Sequence, residues 1–227
     1  MRLIVFDFDG TLADTNKGII ATEQETLLRL GLPPGDPEKM KLGIGLPLRE
    51  SLSLGLGIPD DDGHARPDRA SRALSGAELL DRAEETYRTV FDEIAMQHIS
   101  LFPGVVVFLE SCRAQGILCT IATSRSERTL RMILEEHGIS DYFCLLLTVN
   151  DHLAHKPDPA MVLETMARLG VPPSETLVVG DTTFDLEMGR RAGARTCGVT
   201  YGNHPRSMLL SASPDLLVDN LLDIPLD

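Results

Sequence analysis

The sequence predicts an α/β fold: a doubly wound parallel sheet with an all-helical module inserted after its first strand. Three observations predict it. From Pro103 onward, short apolar runs alternate with amphipathic stretches of helical length, the pattern of βαβ units whose sheet is covered on both faces. A further apolar run, Leu3-Ile4-Val5-Phe6, stands near the start of the chain and belongs to the same sheet. Between that strand and Pro103 the periodicity is helical, over roughly 80 residues. The expected boundaries are 1–14 with 98–227 for the sheet domain and 15–97 for a helical cap over the sheet edge.

Taken in order, the first strand runs into Asp7-Phe8-Asp9-Gly10-Thr11-Leu12, where the glycine lets the backbone turn sharply. Thr15 to Leu30 reads as a helix with Ile19, Ile20, Leu27, Leu28 and Leu30 on its apolar side, and Pro33, Pro34, Gly35 and Pro37 stop it. A short helix near Pro37 to Lys41, a loop over 43–47 and a second short helix around Leu48 to Leu54 follow. Residues 59–76 are polar, with Asp60-Asp61-Asp62 and Arg66, Arg69 and Arg72 among small residues, and read as an irregular excursion of extra length. Helical character returns over Ala77 to Met96. The alternating half then predicts helices at 103–115, 126–137, 159–169 and 182–192, and strands at 117–122, 143–149, 176–179 and 195–199.

A chain of 227 residues easily buries a core, and 43% apolar with 24% charged residues is a soluble, globular composition. The formal charge of −13 disfavours nucleic acid and anionic membrane surfaces as partners. No apolar run approaches the roughly 18 residues of a membrane span, and the first strand begins without a charged leader, so a cytoplasmic location is expected. Cys112, Cys119, Cys144 and Cys197 lack C-x-x-C spacing and are expected to be reduced core residues.

The chemistry gathers at the carboxyl ends of the strands, the edge at which open α/β sheets bind ligands. Asp7 and Asp9 follow the first strand, Thr123-Ser124 follows 117–122, His155-Lys156-Pro157 lies in the loop after 143–149, and Gly180-Asp181 with Asp185 follows 176–179. Two acidic pairs, a hydroxyl with backbone N–H groups and a lysine at one edge form a phosphate-handling set. Four carboxylates brought together repel by roughly 4 kcal/mol per pair at about 4 Å and an effective dielectric near 20. One divalent cation with Lys156 offsets three of the charges, and a proton on Asp9 would offset the fourth. Oxygen-only ligands favour Mg²⁺ over Zn²⁺, and a carboxylate attacks a phosphate dianion only when their repulsion is screened. Singly, each residue has a plainer role: Asp9 and Asp185 as turn or helix caps, Asp181 as N-cap of helix 182–192, Thr123 as cap of helix 126–137, Lys156 as a solvated lysine. Their convergence at consecutive strand ends favours a site.

The order D-x-D-G-T at 7–11, Thr123 after a strand, Lys156-Pro157 and G-D-x-x-x-D at 180–185 resembles the haloacid dehalogenase-like hydrolases, specifically the phosphoglycolate phosphatase-like group with a helical cap. The resemblance implies a Rossmann-like core and a Mg²⁺-dependent phosphatase that hydrolyses a small phosphomonoester through an aspartyl phosphate. It implies Asp7 as nucleophile and Asp9 as general acid/base. Gly10, Thr11, Thr123, Ser124 and Lys156 cradle the phosphate in this reading. Asp181 binds Mg²⁺ with Asp7 and the Asp9 carbonyl, and Asp185 supports the metal. The partner is a small phosphorylated metabolite and the chain a monomer or homodimer.

In the cap, Lys41, Gly45 and Arg49 bracket a loop and helix start that could meet an anionic leaving group; a solvated amphipathic helix is the equally weighted alternative. Asp9 argues against a dehalogenase, which lacks the second aspartate. A β-phosphoglucomutase-like phosphotransferase, an inorganic pyrophosphatase and a nucleotidase remain open on this scaffold; Thr11, where such mutases commonly carry valine, favours hydrolysis. A receiver-like phosphoacceptor module also combines acidic residues, Thr and Lys, but carries its acceptor on a later strand and has no cap of this size.

Overall fold

The computed structural model describes residues 1–56 and 76–226. The excursion expected at 59–76 therefore lies outside the described residues, apart from Gly76. Two compact units divide the chain: Thr15–Ile99, and Met1–Asp14 with Ser100–Asp227.

The first of these is helical. Its helices are α1 (Asn16–Arg29), α2 (Pro37–Gly43), α3 (Leu48–Leu56) and α4 (Gly76–Ile94), the last continued by a 3₁₀ turn at Ala95–His98. Asp36 caps α2 by accepting from the Glu38 N–H, with Pro37 at the first helical position where its missing N–H costs nothing. Leu52, Leu80 and Ala83 form a core to which Leu30, Leu48 and Tyr87 add. Among the described residues of this unit, one acidic side chain is buried: Glu23 on α1, which accepts a hydrogen bond from Ser51 Oγ at 3.0 Å.

The second unit is built on six parallel strands. In chain order these are β1 (Leu3–Phe6), β4 (Leu118–Ala122), β5 (Phe143–Leu147), β6 (Thr176–Gly180), β7 (Arg195–Val199) and β8 (Leu216–Val218), and their order in the sheet is β5-β4-β1-β6-β7-β8. The remaining two strands, β2 (Ala13–Asp14) and β3 (Ser100–Leu101), pair antiparallel as a short ribbon. Helices α5 (Val105–Ala114), α6 (Glu127–Glu136), α7 (Ala160–Leu169), α8 (Thr183–Arg191) and α9 (Arg206–Ser211) complete the unit.

All four residues of β1 are fully buried, as a central strand covered on both faces requires. Leu3 and Val5 join a cluster with Met161, Val162 and Met166 of α7 and Met188 of α8. Side chains alternate along a strand, so Phe6 faces the other way, edge-on to Phe108 of α5 at 6.1 Å. None of the described helices is long and apolar enough to cross a membrane.

Register aligns the site. Phe6 pairs with Ile121 on one side and Val179 on the other, so Asp7, Thr123 and Asp181 emerge together from neighbouring strands. The ribbon, the three-residue β8 and α9 are additions to the sequence expectation. All four cysteines are unpaired, and Cys112, Cys119 and Cys197 are buried. Cys144 corrects the expectation of four core thiols: it is exposed, on β5, which is the edge strand of the sheet among the described residues.

Candidate active site

The turn after β1 is built for close approach. Gly10 has φ +87°, and a Cβ there would lie 2.2 Å from Asp181 Oδ2, so a residue without a side chain is required on both counts. Asp7 leaves β1 with its N–H still donating to the Val179 carbonyl at 2.9 Å, which fixes its exit direction.

Lys156 reaches the turn from the loop after β5, and its side chain is fully buried. The ammonium donates to Asp7 Oδ1 at 2.5 Å and to Asp185 Oδ1 at 2.7 Å. Lys156 is thus no solvated lysine; neighbouring His155 is exposed. Burial alone would lower the Lys156 pKa, but the Asp185 and Asp7 charges outweigh it and raise it.

Asp185 divides its carboxylate. Oδ1 takes Lys156, while Oδ2 accepts from the Thr182 N–H at 3.1 Å and its hydroxyl at 2.6 Å, closing a capping box at the start of α8. The capping role and the site role therefore coexist, and Thr182, not Asp181, is the N-cap. Gly180 makes room for this arrangement, since a Cβ there would meet Asp185 Cβ at 2.2 Å.

Asp181 is clasped from two sides. Thr11 Oγ1 donates to its Oδ1 at 3.0 Å and the Asn203 N–H to its Oδ2 at 2.6 Å. The segment Tyr201-Gly202-Asn203 closes over it: the Tyr201 hydroxyl donates to the Thr11 carbonyl at 2.8 Å, and a Cβ on Gly202 would fall 2.3 Å from Asp181. Asn203 Nδ2 meets the Asp9 carbonyl at 3.5 Å.

Asp7, Asp181 and Asp185 each offer an oxygen within 4.8 Å of the others. Burial pushes the Asp7 carboxyl up to about 7, against the pull of Lys156 and with the push of Asp185 and Asp9. Burial, then Asp7 and Asp185, raise Asp181 well above the usual carboxylate range. Two of these three buried carboxylates, Asp7 and Asp185, share Lys156, and Asp7 Oδ2 makes no hydrogen bond. An all-oxygen donor set with an unused buried oxygen fits a hard divalent cation.

Asp9 faces elsewhere. Arg125 donates through Nε to its Oδ2 at 3.0 Å and through Nη2 to its Oδ1. The charge balance expected from sequence left out this partner: an arginine two residues beyond Thr123 lies against Asp9. Thr123 is buried and its Oγ1 accepts from the Arg125 N–H at 3.1 Å, while Ser126, not Thr123, caps α6. Ser124 beside it is half-buried.

Asp7, Lys156, Asp181 and Asp185 therefore meet, with Thr11 and Gly10 packed on Asp181. Lys41, Gly45 and Arg49 belong to the helical unit, where Arg49 pairs with Asp81 at 2.7 Å and Glu84 at 3.1 Å. Sequence reasoning missed Arg125 and the Tyr201–Asn203 segment. Arg125 directly follows Thr123-Ser124, and Tyr201-Gly202-Asn203 follows a strand end, so position along the sheet edge was the available signal.

A parallel sheet carrying an acidic cluster and a buried lysine at its carboxyl edge defines an α/β protein with a site able to hold a hard cation beside an anion. The sequence profile of the haloacid dehalogenase-like hydrolases matches residues 4–199. The chain is 36% identical over 225 residues to the protein described as probable phosphatase IndB of Dickeya dadantii, covering 98% of this chain and 91% of that one. It is 32% identical over 223 residues to a phosphoglycolate phosphatase of Pseudomonas putida, covering 97% and 77%. A crystal structure described as a haloacid dehalogenase-like hydrolase from Bacteroides fragilis superposes with a TM-score of 0.84 at 29% identity, over 96% of this chain and 97% of that one. The chain belongs to the haloacid dehalogenase-like hydrolases, and it is a hydrolase of the phosphatase class.

Proposed function

We propose that the enzyme hydrolyses a small phosphomonoester, of the phosphoglycolate kind, through an aspartyl phosphate on Asp7. The observation that carries this reading is the single lysine held between Asp7 and Asp185 in a buried acidic cluster. Asp7, Asp181, Asp185 and the Asp9 carbonyl would hold Mg²⁺, which when bound screens the repulsion between a carboxylate and a phosphate dianion.

The chain's own residues do the rest. Lys156 fixes Asp7 through Oδ1 and faces the phosphoryl oxygens with its charge, while Thr123, the Ser124 N–H, Thr11 and the Gly10 backbone complete the cradle. Asp7 attacks phosphorus, the bond to the leaving oxygen breaks, and Asp9 gives that oxygen a proton. Asp9 then takes a proton from water, whose oxygen attacks phosphorus and frees Asp7 and inorganic phosphate.

The helical unit, 15–97 by sequence, would act as a cap, with Lys41, Gly45 and Arg49 selecting among leaving groups; Arg49 would exchange Asp81 and Glu84 for substrate. Four unpaired cysteines support a cytoplasmic location. The discriminating experiment is Asp7→Asn assayed with p-nitrophenyl phosphate and Mg²⁺. Turnover is expected to vanish with an unchanged circular dichroism spectrum; retained turnover refutes the aspartyl phosphate. Repeated rather than stoichiometric turnover by the wild type distinguishes an enzyme from a receiver-like phosphoacceptor.

A further inference from the structure

We propose that Arg125 is the receptor for a carboxylate on the leaving-group side of the substrate, and that Asp9 holds this receptor in store until substrate arrives. The inference rests on the Asp7-centred reading above and names the residue that would set its substrate class.

The guanidinium is buried, with 5% side-chain exposure, and Nε and Nη2 grip both oxygens of one carboxylate. Its backbone is pinned on two sides: the N–H donates to Thr123 Oγ1 at 3.1 Å and the carbonyl accepts from the Val149 N–H at 3.4 Å. The Phe8 ring lies 5.9 Å from the guanidinium carbon. With the backbone fixed, any exchange of partner must come from side-chain torsions.

What the fork grips already displays what it recognises: a planar anion with two oxygens, matched by parallel N–H donors. This arrangement occupies Asp9, because both of its oxygens are engaged by the guanidinium. A leaving group bearing its own carboxylate resolves the conflict. The substrate carboxylate takes the fork, and the displaced Asp9 turns to the ester oxygen beside it. The phosphoryl oxygens do not compete for Arg125, since Lys156, Thr123 and Ser124 serve them. A substrate without a second anion must break the Asp9–Arg125 pair and put nothing in its place.

Phosphoglycolate and ethyl phosphate test this, since they differ chiefly in the carboxylate. Steady-state kinetics of the full chain with Mg²⁺ would compare wild type, Arg125→Gln and Arg125→Lys; the lysine variant keeps a positive charge opposite Asp9 should the glutamine variant fail to fold. The wild type is expected to show a lower KM for phosphoglycolate than for ethyl phosphate. That ratio of KM values should shrink at least about tenfold in each folded variant. Equal KM values in the wild type, or a ratio preserved within about twofold in Arg125→Lys, overturn the proposal and leave Arg125 as a residue that merely positions Asp9. Failure of the wild type to turn over either ester or p-nitrophenyl phosphate overturns the phosphatase reading itself, and the proposal with it.

Discussion

Lys156 and Asp185 form a buried ion pair at 2.7 Å that ties the loop after β5 to the first turn of α8. Because the same ammonium also binds Asp7, the position of the proposed nucleophile depends on a helix cap on the far side of the lysine. Replacing Lys156 with Met should lower kcat by about 10²–10³-fold with p-nitrophenyl phosphate. Arginine should not rescue it, because a planar fork does not fit a point shared by two carboxylates. Steady-state kinetics of both variants checks this; rescue by arginine would show that charge alone suffices.

Gly202→Ala brings a Cβ to 2.3 Å from Asp181 and must displace either that carboxylate or the Tyr201–Asn203 segment. Residues that orient a metal ligand typically affect affinity by about 10–100-fold, so Mg²⁺ binding measured by calorimetry should weaken within that range. An unchanged dissociation constant would exclude this segment from organising the cluster.

Glu23 gives the fold a pH dependence of defined sign. Burial raises its pKa from 4.5 to about 8, against the smaller opposing effect of the Ser51 hydrogen bond. The folded chain keeps this proton between those values and the unfolded chain loses it, so stability falls as pH rises from about 4.5 to about 8. The full difference is on the order of 5 kcal/mol. Glu23→Gln should remove this part of the slope, measured as the difference in unfolding free energy between pH 5 and pH 8. Parallel wild-type and variant curves would show that Glu23 ionises normally.

Arg49→Ala should cost under about 1 kcal/mol in thermal unfolding, because its carboxylate partners are at least partly solvated. If Lys41 and Arg49 select the substrate, Arg49→Ala and Lys41→Ala should raise KM selectively for anionic leaving groups. An unchanged ranking across a panel of phosphorylated metabolites would remove both from that role.

The sheet and most of its helices were legible because each is a local pattern: apolar runs such as Leu177-Val178-Val179, or helical spacing such as Leu130, Ile133 and Leu134. The two-residue partners in the ribbon and the three-residue β8 are too short to carry a period. Asp7, Lys156, Asp181 and Asp185 were legible because each follows a strand whose end could be located. Arg125 was not, since its role exists only in a meeting with Asp9 across 116 residues of sequence. Asn203 was hidden for a similar reason: its backbone N–H, not its side chain, fixes Asp181.

The short ribbon of Ala13–Asp14 with Ser100–Leu101 behaves as a socket in the sheet-bearing unit. Paired strands run ~5 Å apart, so the two cut ends of that unit are presented side by side wherever the intervening 85 residues go. Any segment whose own ends come that close could be plugged in without stretching the catalytic edge. Inserted segments can then be exchanged by evolution, or by design, while Asp7 and its neighbours keep their register.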